Sequence, residues 1–171
     1  MSARLVACGV ALGVLAVLVT RRDFDIGGIA ESAKNTILEA VGMRGIRNNN
    51  PGNIRHSGSR WQGMSAVQTD SAFVQFDTPE AGIRALSKLL DNYARIYGLN
   101  TVRGLIARYA PASENNTAAY AGAVASALGV SPDEAIDVQA RKTDLIAAII
   151  KHENGLNPYS VATIKTGVSM A

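Results

Sequence analysis

Cysteine is nearly missing from this chain: Cys8 stands alone among 171 residues. A single thiol makes no intrachain disulfide and no thiolate metal cluster. Histidine is almost as scarce. His56 and His152 have no second ligand nearby at metal spacing, which argues against zinc. Aromatic residues make up only 5% of the sequence. Alanine, valine, leucine and isoleucine must therefore fill the interior, and such a core favours packed helices over a β-sandwich. There is no run of lysines and arginines and no basic stripe interleaved with aromatics, so nucleic acid is not an expected partner. The net charge of +3 suits anionic partners such as peptidoglycan or phospholipid headgroups without choosing between them. G-x-S-x-G, a Walker loop, H-E-x-x-H and a Cys/His pair are all absent, which excludes the familiar nucleophile, phosphate and metal signatures. No cofactor is implied. What is left for chemistry is the carboxylate.

The first apolar feature is Leu5 to Val19, an uncharged run flanked by Arg4 and by Arg21-Arg22. As a helix it covers about 22 Å, short of a bilayer core of roughly 30 Å, and Ser2, Ala3 and Thr20 extend it to a marginal span. A cleaved signal peptide lacks its small-x-small site, because Thr20-Arg21-Arg22 is a poor one. A lipoprotein signal is suggested by Leu5-Val6-Ala7-Cys8, but its apolar run would have to precede the cysteine. An uncleaved anchor fits best, so the expected arrangement places residues 5–20 in a lipid bilayer. Gly9 and Gly13 stand at the spacing that lets helices approach closely. Residues 1–22 are thus read as a transmembrane helix and residues 23–43 as a connector, with a short amphipathic helix over Glu31 to Val41. Residues 44–171 are the globular domain.

Arg44 to Trp61 has another character. Four asparagines, three glycines and a proline make no regular element, and asparagine suits tight turns because it tolerates the left-handed region. Two isolated apolar residues, Ile46 and Ile54, peg this loop to a core. Its amides and guanidinium groups suit the hydroxyls and N-acetyl groups of a sugar; a structural turn network is the competing account. Trp61 suits either a sugar face or the core. Trp61 to Phe76 is β-like, with a hairpin or three-stranded flap as its limit. From there the pattern is helical. Thr78 caps a helix with Pro79 in its first turn and Gly98 at its end. Others follow from Thr101 to Tyr109 and from Thr117, on Tyr120, Val124 and Leu128, to Gly129. Ser131-Pro132-Asp133-Glu134 is a capping box predicting a short helix through Val138. Thr143 is expected to cap the last helix, with Leu145, Ala148, Ile149 and His152 on its apolar face. The tail from Val161 is unassigned.

Glu153 closes that last helix, just before Asn154-Gly155. Partial burial and the negative end of the helix dipole both oppose a charge there. Such a carboxyl suits general acid catalysis, and the competing account is a side chain fanning into solvent. A general acid that protonates a leaving oxygen is what glycoside cleavage needs. Asp70 and Glu114 are candidates for a second carboxylate. Without one, the 2-acetamido group of the sugar can assist. Along the glycan, Asn48, Asn50, Asn53, Arg55, Trp61 and Tyr120 are the expected substrate-binding residues.

The stretch A-A-I-I-K-H-E-N-G-L-N-P-Y-S, Ala147 to Ser160, resembles the catalytic motif of the lysozyme-like lytic transglycosylases. There a helix ends in Glu-Ser-Gly, followed by an apolar residue and Asn-Pro; here Asn154 replaces the serine. In that superfamily the Glu opens the domain, whereas here it closes it, so the match is permuted. Arg44 to Tyr159 also resembles a family of phage structural and prophage proteins, through R-G-I-R-N-N-N-P-G-N-I-R, W-Q-G, F-D-T-P-E-A-G-I-R-A and A-P-A-S-E-N-N-T-A-A-Y. Together they imply a mainly α, lysozyme-like domain with a small β flap behind a transmembrane helix, and a muramidase or lytic transglycosylase acting on peptidoglycan. They also imply a protein held in a virion's internal membrane or the host inner membrane, working on the periplasmic cell wall during genome delivery or lysis. A non-enzymatic virion protein docking to capsid or membrane partners is the alternative.

Overall fold

The computed structural model describes residues 42–112 and 116–171. The anchor over residues 1–22, the amphipathic helix in the connector, and Glu114 all lie outside the described residues. Among those described, no helix is long and apolar enough to cross a membrane.

Arg44–Ala171 forms one compact unit, and it is mainly α. A single turn, α1 (Arg44–Arg47), interrupts the asparagine loop that was expected to be irregular. The longest helix is α2 (Pro79–Tyr97). The Thr78 side chain accepts from the Ala81 amide at its start, and Gly98 ends it in the left-handed conformation. Helix α3 (Val102–Tyr109) opens on Thr101, which accepts from Gly104 N. Helix α4 (Thr117–Leu128) opens on Asn116 and stops at Gly129, again left-handed. Helix α5 (Lys142–Asn154) carries Glu153, and α6 (Val161–Ser169) ends the chain.

The core is aliphatic, as the shortage of aromatics requires. Ile83, Leu86 and Leu90 of α2, Leu105 and Ile106 of α3, Leu145, Ile146, Ile149 and Ile150 of α5 and Ile164 of α6 are all fully buried. Each such side chain contributes roughly 1.5–3 kcal/mol on leaving water. The helices meet as a chain of neighbours, α3 on α4, α4 on α5 and α5 on α6, with α2 packed against α3, α5 and α6.

Four expectations are corrected. The β flap reduces to isolated antiparallel bridges, Arg55 with Phe73 and Met64 with Phe76, and no strand forms among the described residues. Side chains take the backbone groups a ladder would need. Gln68 Oε1 accepts from Gln75 N at 2.7 Å and Gln68 Nε2 donates to Gln75 O at 2.8 Å. Asp70 Oδ1 accepts from the Ala72 and Phe73 amides, each at 3.0 Å. The segment 131–138 is not helical either. Glu134 does reach back to Ser131 N at 3.1 Å, but the neighbouring backbone pairs elsewhere. Arg103 N donates to Pro132 O at 2.9 Å and Ile136 N to Asn100 O at 2.8 Å, so the i−4 partners a helix would need are replaced. Thr143 lies inside α5 rather than capping it, and Arg141 at the cap position offers no side-chain bond. His152 is exposed, stacked on Tyr120 with ring centroids 3.6 Å apart. The unassigned tail is α6, which Ser160 caps by accepting from Thr163 N at 3.1 Å.

Candidate functional site

The asparagine loop and the end of α5 come together. Asn53 Nδ2 donates to Glu153 Oε2 at 2.8 Å, across 100 residues of sequence. On the other side, Tyr120 of α4 donates its hydroxyl to Glu153 Oε1 at 2.7 Å. Each carboxylate oxygen is therefore held by one neutral donor and keeps a second lone pair. Asn154 fastens the junction from below. Its Nδ2 donates to Pro51 O at 2.8 Å and to Ile150 O at 2.9 Å, joining the loop to the helix end.

The local backbone explains why asparagine is used here. Asn49 and Asn53 both take φ of 49°, the left-handed region, which asparagine enters more readily than other residues with a side chain. Gly45 closes the junction. A Cβ there would stand 2.6 Å from Asn154 Oδ1 and 2.7 Å from Asn53 Oδ1.

Glu153 opens on a cavity of about 450 Å³, within the range of small-ligand sites. Asn53, Arg55, Trp61 and Glu153, all expected at a glycan site, line it. Phe73, Tyr93 and Tyr109 add aromatic wall, and Arg108 adds a second guanidinium. Tyr109 donates its hydroxyl to Gly52 O. Burial, then the charge on Glu153, pushes that hydroxyl well above the ordinary tyrosine range. Burial, Tyr109 and Glu153 do the same to Tyr120. Both hydroxyls therefore stay protonated and remain donors. The Trp61 indole Nε1–H is buried with no acceptor among the described residues.

The remaining expected residues sit elsewhere. Asn50 is fully buried and structural: its amide donates to Ile54 O and Val74 O, and its carbonyl accepts from Ile54 N at 2.9 Å. Asn48 is buried as well, with Nδ2 on Asp70 Oδ2 at 2.7 Å. Asp70 does not line the cavity. Arg44, chiefly, with Asn48 and the Phe73 and Ala72 amides, holds its carboxyl well below the usual carboxylate range. Engaged on both oxygens in this way, it is an ion-pair anchor with no capacity left to activate water.

No family model matches this chain. It is 41% identical over 127 residues to Protein P5 of Pseudoalteromonas phage PM2, across 72% of this chain and 79% of that protein. The chain belongs to the Protein P5 family. The expected kinship with phage proteins therefore holds, while the relative's name carries no activity. In this P5-family chain the sequence pattern also left site residues unmarked. Tyr93 and Tyr109 fall at apolar positions of helical patterns, and Arg108 is given no role by them. The signal available for them was the pairing of Arg108 with Tyr109 at a helix end beside the loop.

Proposed function

We propose that this chain is a phage-derived, membrane-anchored glycosidase that cleaves peptidoglycan, with Glu153 as the general acid. The observation that carries the proposal is the convergence of Asn53 and Tyr120 on Glu153 beside an aromatic-lined cavity. A catalytic group needs its rotamer locked by neighbours, and these two donors lock it. Glu153 is the one acid among the described cavity residues, and the proposed course uses that single protein carboxyl. In the proposed course Glu153 gives its proton to the glycosidic oxygen as the C1–O bond breaks, while the carbonyl oxygen of the 2-acetamido group bonds to C1. The sugar's own 6-hydroxyl, returning its proton to Glu153, then yields an anhydro product by transglycosylation. Water in its place yields a reducing end by hydrolysis. The mainly α unit and the glycan-compatible wall support a lysozyme-like assignment. The site of action is the periplasmic cell wall, reached from a virion membrane or the host inner membrane.

Murein zymography of the full chain and its Glu153→Gln variant tests this, with mass spectrometry of the released fragments. Clearing by the wild type and none by a folded Glu153→Gln variant is the expected result. Clearing that survives the substitution sinks the assignment. The kinship with a phage protein whose name carries no chemistry favours a second reading, a non-enzymatic virion protein docking to capsid or membrane partners. Intact glycan after incubation with wild type, together with binding to virion components, selects it.

A further inference from the structure

The cavity beside Glu153 carries more positive charge than a neutral sugar requires. Among its described lining residues, Arg55 and Arg108 stand against one carboxylate. Arg55 has its guanidinium 5.0 Å from the Phe73 ring centroid and is engaged further. Arg108 differs. It is exposed in the last turn of α3 and has no ion-pair partner among the described residues. Its guanidinium lies 3.4 Å from the Tyr97 ring centroid and 5.3 Å from that of Tyr93, two rings that meet edge to face at 6.5 Å. Stacking on a ring face orients the guanidinium plane but satisfies none of its N–H donors. An oriented fork of N–H groups matches a carboxylate through two parallel hydrogen bonds.

We infer that Arg108 is a specificity-determining residue that takes a carboxylate of the murein strand while Glu153 acts on the glycosidic bond. The site thereby selects acidic, muramic-acid-containing strands over neutral amino-sugar polymers. This rests on the murein-cleaving proposal above. The carboxylate has two sources in murein: the lactyl group of the sugar, free where the peptide has been removed, or the stem peptide itself.

The test compares initial rates of the full chain on three substrates. These are native sacculi, sacculi whose carboxylates have been amidated with carbodiimide and methylamine, and glycan strands stripped of stems by an amidase. Wild type is expected to cleave native sacculi about tenfold faster than amidated ones where the stem supplies the carboxylate, or stripped strands about tenfold faster than native sacculi where the lactyl group does, the range of a hydrogen bond to a charged group. Arg108→Gln brings that ratio near one, and Arg108→Lys, which keeps charge without the planar fork, falls between. An Arg108-dependent gain on stripped strands assigns the lactyl carboxylate; an Arg108-dependent loss assigns the stem. Equal wild-type rates on all three substrates, or an Arg108→Gln variant that keeps the wild-type preference with an unaltered melting curve, overturns the inference and leaves murein cleavage standing. No turnover of any substrate by the wild type overturns both.

Discussion

At the scale of single residues, Glu153 is defined by what holds it. Its two donors are unlike in burial and in backbone demand. Tyr120 is 3% exposed, so Tyr120→Phe keeps the packing and removes only the hydroxyl. Asn53 sits at φ 49°, and Asn53→Gly keeps access to that conformation while removing the amide. A hydrogen bond to a charged group is worth roughly 1.5–3 kcal/mol. If it is made more fully as the reaction proceeds, each substitution lowers kcat on murein by about 10- to 100-fold with KM little changed. The double variant is expected to lose less than the product of the two, because both act by freeing the same side chain. A rise in KM at constant kcat would instead assign Asn53 and Tyr120 to substrate binding. His152, exposed and stacked on Tyr120, shows how one turn of helix sends its two neighbours to different tasks.

At the scale of elements, the asparagine loop depends on how closely it lies on α2. A Cβ built on Gly82 would stand 1.9 Å from the backbone oxygen of Asn49. In a helix interior Gly→Ala ordinarily stabilises, by up to about 1 kcal/mol. At Gly82 the overlap is with main chain and cannot be relieved by a rotamer, so Gly82→Ala is expected to destabilise by about 1–3 kcal/mol. It also displaces Asn53 from Glu153. Gly122 in α4 has no atom within 4 Å of such a Cβ, and Gly122→Ala is the matched control, expected to gain stability. Urea unfolding of the pair measures both; equal shifts would mean the loop yields freely. The same elements mark the limits of what was legible. The helix behind Thr78 and Pro79 and the stop at Gly98 could be read because caps and period lie within one local stretch. The 131–138 segment could not: Ser131 and Glu134 satisfy the local rule, and the outcome is decided by Asn100 and Arg103, distant in sequence. Helix α6 has weak propensity around Thr166 and Gly167. It exists because Gly167 lets it approach Ile83, where a Cβ would meet the isoleucine at 2.6 Å. In the site, Glu153, Asn53, Arg55 and Trp61 were visible as chemistry-bearing types in unusual settings. Asn48, Asn50 and Asp70 have the same composition, and only tertiary hydrogen bonding separates scaffold from cavity wall.

At the scale of the whole molecule, one hydrophobic cluster runs from Ile54 to Ile164 through all of the longer helices. Loosening one polar anchor therefore registers in global unfolding rather than in local fraying alone. The anchor with the clearest pH signature is Asp70, bound by Arg44 at 2.5 Å and by Asn48 at 2.7 Å, with Arg44 also lying over the Phe73 ring at 4.5 Å. Its carboxyl titrates lower in the folded chain than in the unfolded one, chiefly because of Arg44. The sign follows. The unfolded chain takes up this proton first, so the contribution is fully present above the ordinary carboxylate range, about 4, and is lost as pH falls through that range toward the lower folded value. Asp133, held low by Arg103, acts in the same direction from a more exposed position. Urea midpoints of the full chain are expected to be flat in this respect from neutral pH to about 5 and to fall progressively below it. Asp70→Asn should start from a lower midpoint at neutral pH and show a shallower acid slope, with Asp133 supplying part of what is left. An acid slope identical to wild type would place the ion pair in the unfolded chain as well. In that case the asparagine loop owes its position to its other contacts, among them Asn50 with Ile54 and Val74, Asn53 with Glu153 and Asn154 with Pro51.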